Sequence, residues 1–216
     1  MQPAITIAHP PPRPKVGLPA RGKSFVSKKV QRYLLSTGNE AKVFNAGQYR
    51  RQAHKAGSVE SEMAADFFNN LNPESAALRE EFAMAALEDL LEYVHEGDGK
   101  VGIHDATNSS VKRRQKLVQR CKKAGTPVLF IESCCTDPVV IRRNIELKAS
   151  GPDYCNMDRD AAIEDFTRRL GLYEADYKAI TDEEHVSYIK INNTGNEVEA
   201  HGIQGYIASQ IMFFLM

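Results

Sequence analysis

Short apolar runs alternate with longer amphipathic stretches along the chain. Lys42–Asn45, Val101–His104, Val128–Glu132, Tyr188–Ile191 and Ile211–Leu215 are each short, apolar and rich in β-branched or aromatic residues, which predicts strands. Between them the period lengthens. Asn72 is placed to cap a helix with Pro73 at its first position, and Leu78, Phe82, Ala85, Ala86, Leu90 and Val94 then share one face. Asp137-Pro138 repeats the cap-then-proline signal before Val139–Lys148, and Asp158 precedes a helix striped by Ile163, Phe166, Leu170 and Tyr173. Ser110 is set to cap Val111–Ala124, which Gly125 would stop. Strands alternating with helices predict parallel βαβ units in a three-layer α/β domain.

One segment carries a phosphate-binding pattern. Gly17-Leu18-Pro19-Ala20-Arg21-Gly22-Lys23-Ser24 matches G-x-x-x-x-G-K-[ST] in full, and Phe25–Leu35 reads as the helix that should follow. Glycines let the backbone turn tightly and aim its N–H groups at phosphate oxygens. Lys23 would reach the β- and γ-phosphates, and the Ser24 hydroxyl would ligate Mg²⁺. A chance Gly-Lys-Ser turn is the plainer alternative. The strand that should feed this loop is not where it is expected, because Pro10, Pro11, Pro12 and Pro14 stand there, and proline is excluded from central strands. Lys15-Val16 forms a very short strand, or the strand-like Ala4–Ile7 takes its place, or the region is altered. Residues 1–14 are accordingly set apart as a proline-rich segment expected to be poorly ordered, with one domain over 15–216.

Val101–Asp105 is an apolar run that ends in a carboxylate. In phosphate-loop enzymes an aspartate at such a strand end stands beside the γ-phosphate and holds Mg²⁺. Asp105 would otherwise accept a hydroxyl proton, or merely cap a turn. Thr107, Asn108, Ser109 and Ser110 follow, then Arg113 and Arg114 within one helical turn. Hydroxyls and guanidinium groups beside that carboxylate suggest a second phosphate, with a solvated basic helix face as the alternative.

Composition narrows the setting. Twenty-eight basic residues balance 28 acidic ones, so there is no global field for nucleic acid or an anionic membrane. No apolar run approaches a membrane span, and no signal peptide is evident, so the cytoplasm is expected. The four cysteines show no metal-ligand spacing, and free thiols are expected.

Eight blocks in order, GLPARGKS, KVFNAGQYRR, ADFFNNLNPE, HDATNSSVKRR, LFIESCCTDP, NIELK with GPDY, EDFTRRLGLYE and SYIKI, resemble the kinase half of the 6-phosphofructo-2-kinase/fructose-2,6-bisphosphatase family from about Val16 onward. GYIASQIMFFLM near the end is similar to plant-type members. The resemblance implies an adenylate-kinase-like P-loop kinase fold with a mainly parallel sheet flanked by helices. It implies ATP and Mg²⁺ as cofactors and transfer to the 2-position of fructose 6-phosphate. Carried over, Gly17–Ser24 with Asn144 and Lys148 hold ATP. Lys23, Asp105 and Cys135 are the catalytic set, and Ser24 and Asp105 attend the metal. Arg50, Arg79, Thr107, Arg113, Arg169 and Tyr173 hold the sugar phosphate. A homodimer is carried as an expected assembly. Residue types support part of this set, since arginine binds phosphate bidentately and stays charged. Arg169 and Tyr173 stand four apart and so share one helical face.

The family's phosphatase half carries Arg-His-Gly, whereas here Ala200 precedes His201-Gly202, so kinase activity alone is expected. Two competing readings stay open. One is a non-catalytic nucleotide-binding or regulatory remnant, and the other is a kinase of another small sugar phosphate.

Overall fold

The computed structural model describes residues 4–7, 19–55, 65–69, 71–97 and 100–216. Six strands among these form one sheet in the order β2-β3-β1-β4-β5-β6. They are β1 (Ala4–Ile7), β2 (Glu40–Asn45), β3 (Lys100–Asp105), β4 (Val128–Cys134), β5 (Ser187–Asn192) and β6 (Glu197–His201). All pair in parallel except β6, which runs antiparallel to β5. Ala4–Ile7 therefore takes the central place between β3 and β4, inside the segment 1–14 that the prolines set apart from the domain. The prolines and the chain leading from β1 to the loop lie outside the described residues.

The pleat divides the core into two layers. Val101, Ile103, Leu129, Ile131, Ile189 and Ile191 face α1 (Lys23–Ser36) and α7 (Tyr206–Leu215). The opposite face, with Phe44, Phe130 and Tyr188, meets α3 (Pro73–His95) and α4 (Val111–Lys123). Gly102 lets α3 approach β3, since a Cβ there would lie 2.4 Å from Leu90 Cγ. The expected caps form. Asn72 Oδ1 accepts from the Ser75 amide at 3.1 Å, Ser110 Oγ from Arg113, and Asp137 Oδ1 from Val139 at the start of α5 (Pro138–Ala149). Asp158 caps α6 (Arg159–Ala175) in the same way. In α3 the buried stripe runs through Ala83, Ala86, Leu87, Leu90, Leu91 and Val94, leaving Ala85 exposed.

Ile211–Leu215 is not a strand. It closes α7, which buries Ala208, Ile211 and Leu215 at helical spacing and stacks Phe214 on Tyr33 with ring centroids 4.1 Å apart. A short apolar run suits a buried helix as well as a strand, and here the neighbouring Ala208 decides for the helix. Two elements gave no apolar signal. β6 is an edge strand with mostly exposed residues, and α2 (Ala46–Lys55) buries only Arg50.

Candidate functional site

Above the carboxyl ends of the parallel strands, the loop before α1 is tied down from three directions. Ser133 Oγ, at the end of β4, donates to the Arg21 carbonyl at 2.6 Å. Asn144 Nδ2, on α5, donates to the Ala20 carbonyl at 2.8 Å. The buried Arg21 guanidinium lies 3.5 Å from Glu174 on α6. Ala20 and Gly22 both adopt positive φ, at 65° and 90°, the left-handed conformation from which anion-binding turns are built. The N-cap of α1 is Gly22, which has no side chain with which to cap the helix. Of the expected nucleotide loop, Pro19, Ala20, Arg21, Gly22, Lys23 and Ser24 fall within the described residues, while Gly17 and Leu18 lie outside them.

Lys23 opens α1. Desolvation lowers its pKa to about 7, an effect that Asp105 opposes and that Lys148, Arg169 and Arg21 reinforce. Those couplings put Lys23, Asp105 and Lys148 within charge range of one another. Desolvation also lowers the Lys148 ammonium, with Asp105 again opposing. Asp105 is buried at the end of β3 and accepts from Asn45 Nδ2 at 2.5 Å. Beside it His104 is sealed in, donating from Nε2 to the Ala83 carbonyl at 2.9 Å. Burial pushes its pKa down to about 4, so it is neutral at physiological pH. Cys135 is buried next to the cap of α5, its thiol directed at the Asp137 carbonyl at 3.9 Å.

Of the expected sugar-phosphate residues, Arg50, Arg169 and Tyr173 gather around Phe68, with Arg79 within charge range of Arg169 and Tyr173. Arg50 from α2 and Arg169 from α6 both reach Asp153 Oδ2, at 2.5 and 3.2 Å, and Arg51 reaches Oδ1 at 3.1 Å. Desolvation would raise the Asp153 carboxyl, but Arg50 and then Arg169 and Arg51 outweigh it and hold the group far below the usual carboxylate range. Arg169 also lies over Phe68 with its Cζ 3.5 Å from the ring centroid, and Arg50 stands over the same ring at 5.0 Å. Among the described residues, the buried Nε groups of Arg50 and Arg169 have no hydrogen-bond partner. Arg79 donates to the Phe67 carbonyl and is within charge range of Tyr173, Arg113 and Arg169. Tyr173 packs against Phe68, Thr107 is half-buried in the loop after β3, and Arg113 is paired with Glu80 at 2.6 Å.

Arg114 does not join this group. It is fully buried and faces the other way, bidentate to Glu184 at 2.7 and 2.5 Å and donating to the carbonyls of Asn108, Lys178 and Ala179. Sequence reasoning gave no role to Asp153, Arg51, Asn45, Ser133 or Phe68. The register of β2 on β3, which sets Asn45 opposite Asp105, is the one pattern that would have pointed to Asn45.

The donor set fits a hard cation such as Mg²⁺. Ser24 and Asp105 offer oxygen only, and no group of three or more His, Cys, Asp or Glu among the described residues forms a closed cage. An ion taking its remaining ligands from phosphates and water suits such a site.

A family model described as 6-phosphofructo-2-kinase matches residues 15–216. The chain is 42% identical over 203 residues to 6-phosphofructo-2-kinase 1 of Saccharomyces cerevisiae, covering 93% of this chain and 24% of that protein. It is 42% identical over 204 residues to 6-phosphofructo-2-kinase/fructose-2,6-bisphosphatase 1 of Bos taurus, covering 93% of this chain and 42% of that one. It thus spans less than half the length of either relative. Among solved structures, the APS kinase CysC of Mycobacterium tuberculosis in complex with AMPPNP and APS aligns with a TM-score of 0.55 at 15% identity, over 98% of this chain and 95% of that one. Kti12 of Chaetomium thermophilum in complex with ADP-AlF3 aligns with a TM-score of 0.51 at 13% identity, over 97% and 95%. These two likenesses place the fold among α/β kinase-type domains with a helix-flanked parallel sheet.

Proposed function

Because the chain belongs to the 6-phosphofructo-2-kinase family, we propose that it transfers the γ-phosphoryl group of ATP to the 2-hydroxyl of fructose 6-phosphate. The observation that carries this reading is the pairing of two sites above one sheet edge: a strapped loop with Lys23 beside Asp105, and the arginines gathered around Asp153 and Phe68.

Phosphoryl transfer needs positioning and charge neutralisation more than covalent chemistry. The loop amides and Lys23 hold the nucleotide phosphates, and Asn144 keeps the loop in shape through the Ala20 carbonyl. Lys148 lies beside the same phosphates. Ser24 and Asp105 would hold Mg²⁺, which would supply Lewis-acid neutralisation of the phosphate charge. Arg50, Arg79, Arg113 and Arg169 bind the 6-phosphate, with Thr107 and Tyr173 lining the sugar. Exchange of a dianionic phosphate for a carboxylate is chemically natural for the guanidinium groups around Asp153. Asp105 would also accept the proton of the attacking hydroxyl. Cys135, buried beside the turn that leads into α5, completes the catalytic set that the family resemblance implies.

Arg-His-Gly does not occur in the 216 residues, so the activity proposed for this chain is the kinase one alone. No helix among the described residues is long and apolar enough to cross a membrane. Cys121, Cys134, Cys135 and Cys155 are free, which suits the cytoplasm proposed as its setting.

The test is the purified chain with Mg-ATP and fructose 6-phosphate. ADP should form in step with an acid-labile bisphosphate that returns fructose 6-phosphate on mild acid treatment. ATP binding without sugar-dependent ADP release would defeat the proposal and leave a nucleotide-binding module.

A further inference from the structure

Asn45 ends β2 directly opposite Asp105 at the end of β3. Its amide is used on both sides. Oδ1 accepts the Gln48 backbone N–H at 3.0 Å, closing the first turn of α2, and Nδ2 donates to Asp105 Oδ2 at 2.5 Å. The orientation is fixed by chemistry, because a backbone N–H can only donate and a carboxylate only accept; a flipped amide would oppose both. The packing is close as well. A Cβ on Gly47 would come within 3.1 Å of Asn45 Oδ1 and 3.3 Å of Arg51 Nη1. The helix that this amide starts carries Arg50 and Arg51 to Asp153.

We propose that Asn45 is a positioning residue for the transfer step, whose side-chain amide holds the Asp105 carboxylate by one oxygen and ties that setting to the helix carrying the acceptor-site arginines. The inference rests on the function proposed above. Asparagine is needed because the position calls for one donor and one acceptor on a short, stiff side chain. Aspartate keeps the acceptor for Gln48 but sets a second carboxylate against Asp105. Serine is a good helix cap but lacks the reach and the amide donor.

The two duties of Asn45 report on different kinetic constants. Release of Asp105 acts on the chemical step and lowers kcat. Displacement of α2 acts through Arg50 and raises the KM for fructose 6-phosphate. Asn45→Asp and Asn45→Ser, which both retain the cap, should lower kcat roughly 100-fold, as an ångström of misplacement does, while KM for fructose 6-phosphate stays within about threefold. ATP affinity without Mg²⁺, read by calorimetry, should also hold within about threefold, since the described ties of the loop run to Ser133, Asn144 and Glu174. Should Asn45→Asp melt early, the Asn45→Asp/Asp105→Asn double variant re-forms the bond with donor and acceptor exchanged; a restored melting temperature then assigns the early melting to that bond, and Asn45→Ser carries the kinetic test. Unchanged kcat in an active background, or a raised KM with kcat intact, overturns it while leaving the proposed function standing. A wild-type chain that releases no ADP in response to fructose 6-phosphate overturns both.

Discussion

Asp153 is the centre of the basic group, and its removal is the sharpest physical test of that arrangement. One carboxylate faces three guanidinium groups, with side-chain exposures of 14% for Asp153, 7% for Arg50 and 14% for Arg169. In Asp153→Ala, Arg50 and Arg169 remain buried with no counter-charge from this side chain. Deleting one partner of a buried ion pair costs about 3–5 kcal/mol. At about 2–4 °C per kcal/mol for a chain of this size, the melting temperature should fall by roughly 6–20 °C. The pH dependence has a definite sign. The folded-state pKa of Asp153 is depressed below its ordinary 3.8, so its contribution is complete above that value and is lost as pH falls through the folded-state pKa. In urea titrations the gap between wild type and variant should stay constant from about pH 8 to 5 and narrow only below about pH 4. Fructose 6-phosphate brings a dianion to the same guanidinium groups, so it should raise the melting temperature of the variant more than that of the wild type. A variant that melts within 2 °C of wild type, or a gap that closes between about pH 7 and 5, would refute the assignment of Asp153 as their counter-ion.

Three further substitutions probe separate parts of the molecule. Lys23→Met should lower kcat/KM roughly 10²- to 10³-fold, yet leave the melting temperature unchanged or higher because the lost ammonium is one that burial already disfavours; turnover near wild type would remove the loop from the mechanism. Arg169→Ala should act mainly on fructose 6-phosphate, with kcat/KM reduced roughly 10- to 150-fold, and an unchanged KM for that substrate would count against the pocket. Gly102→Ala would drive a methyl group into Leu90, which lies 2.4 Å from the new Cβ, and should cost about 1–3 kcal/mol by chemical denaturation; unaltered stability would show that α3 shifts freely over β3.

Strands β2 to β5 and the helix starts were readable because each rests on a local rule, whereas the central β1 was left open by the prolines behind it and Ile211–Leu215 was mistaken for a strand. β3, β4 and β5 are buried on both faces and so appear as unbroken apolar runs, and Asn72, Ser110, Asp137 and Asp158 announce helices through their own side chains. β6 and α2 stayed hidden because each brings only an isolated apolar side chain to the core, Val198 and Tyr49, too little for a periodic pattern. The site divides along the same line. Arginines and the loop motif advertise an appetite for phosphate, but the groups that set their geometry are distant in sequence: Asp153 lies 103 residues from Arg50, and Asn45 lies 60 from Asp105. Arg113 and Arg114 show the limit most directly. Side by side in sequence, they look interchangeable; on a helix of 3.6 residues per turn they point about 100° apart. One therefore faces Glu80 within charge range of Arg79, while the other is locked against Glu184. Residue type thus tells which side chains favour an anion, whereas the rotation of α4 and the pairing of β2 with β3 select those that meet one. A basic residue in this chain is accordingly better judged by the carboxylate that holds it than by its own charge: Asp153 gathers arginines from two helices above the sheet, and Glu184 keeps Arg114 out of that company.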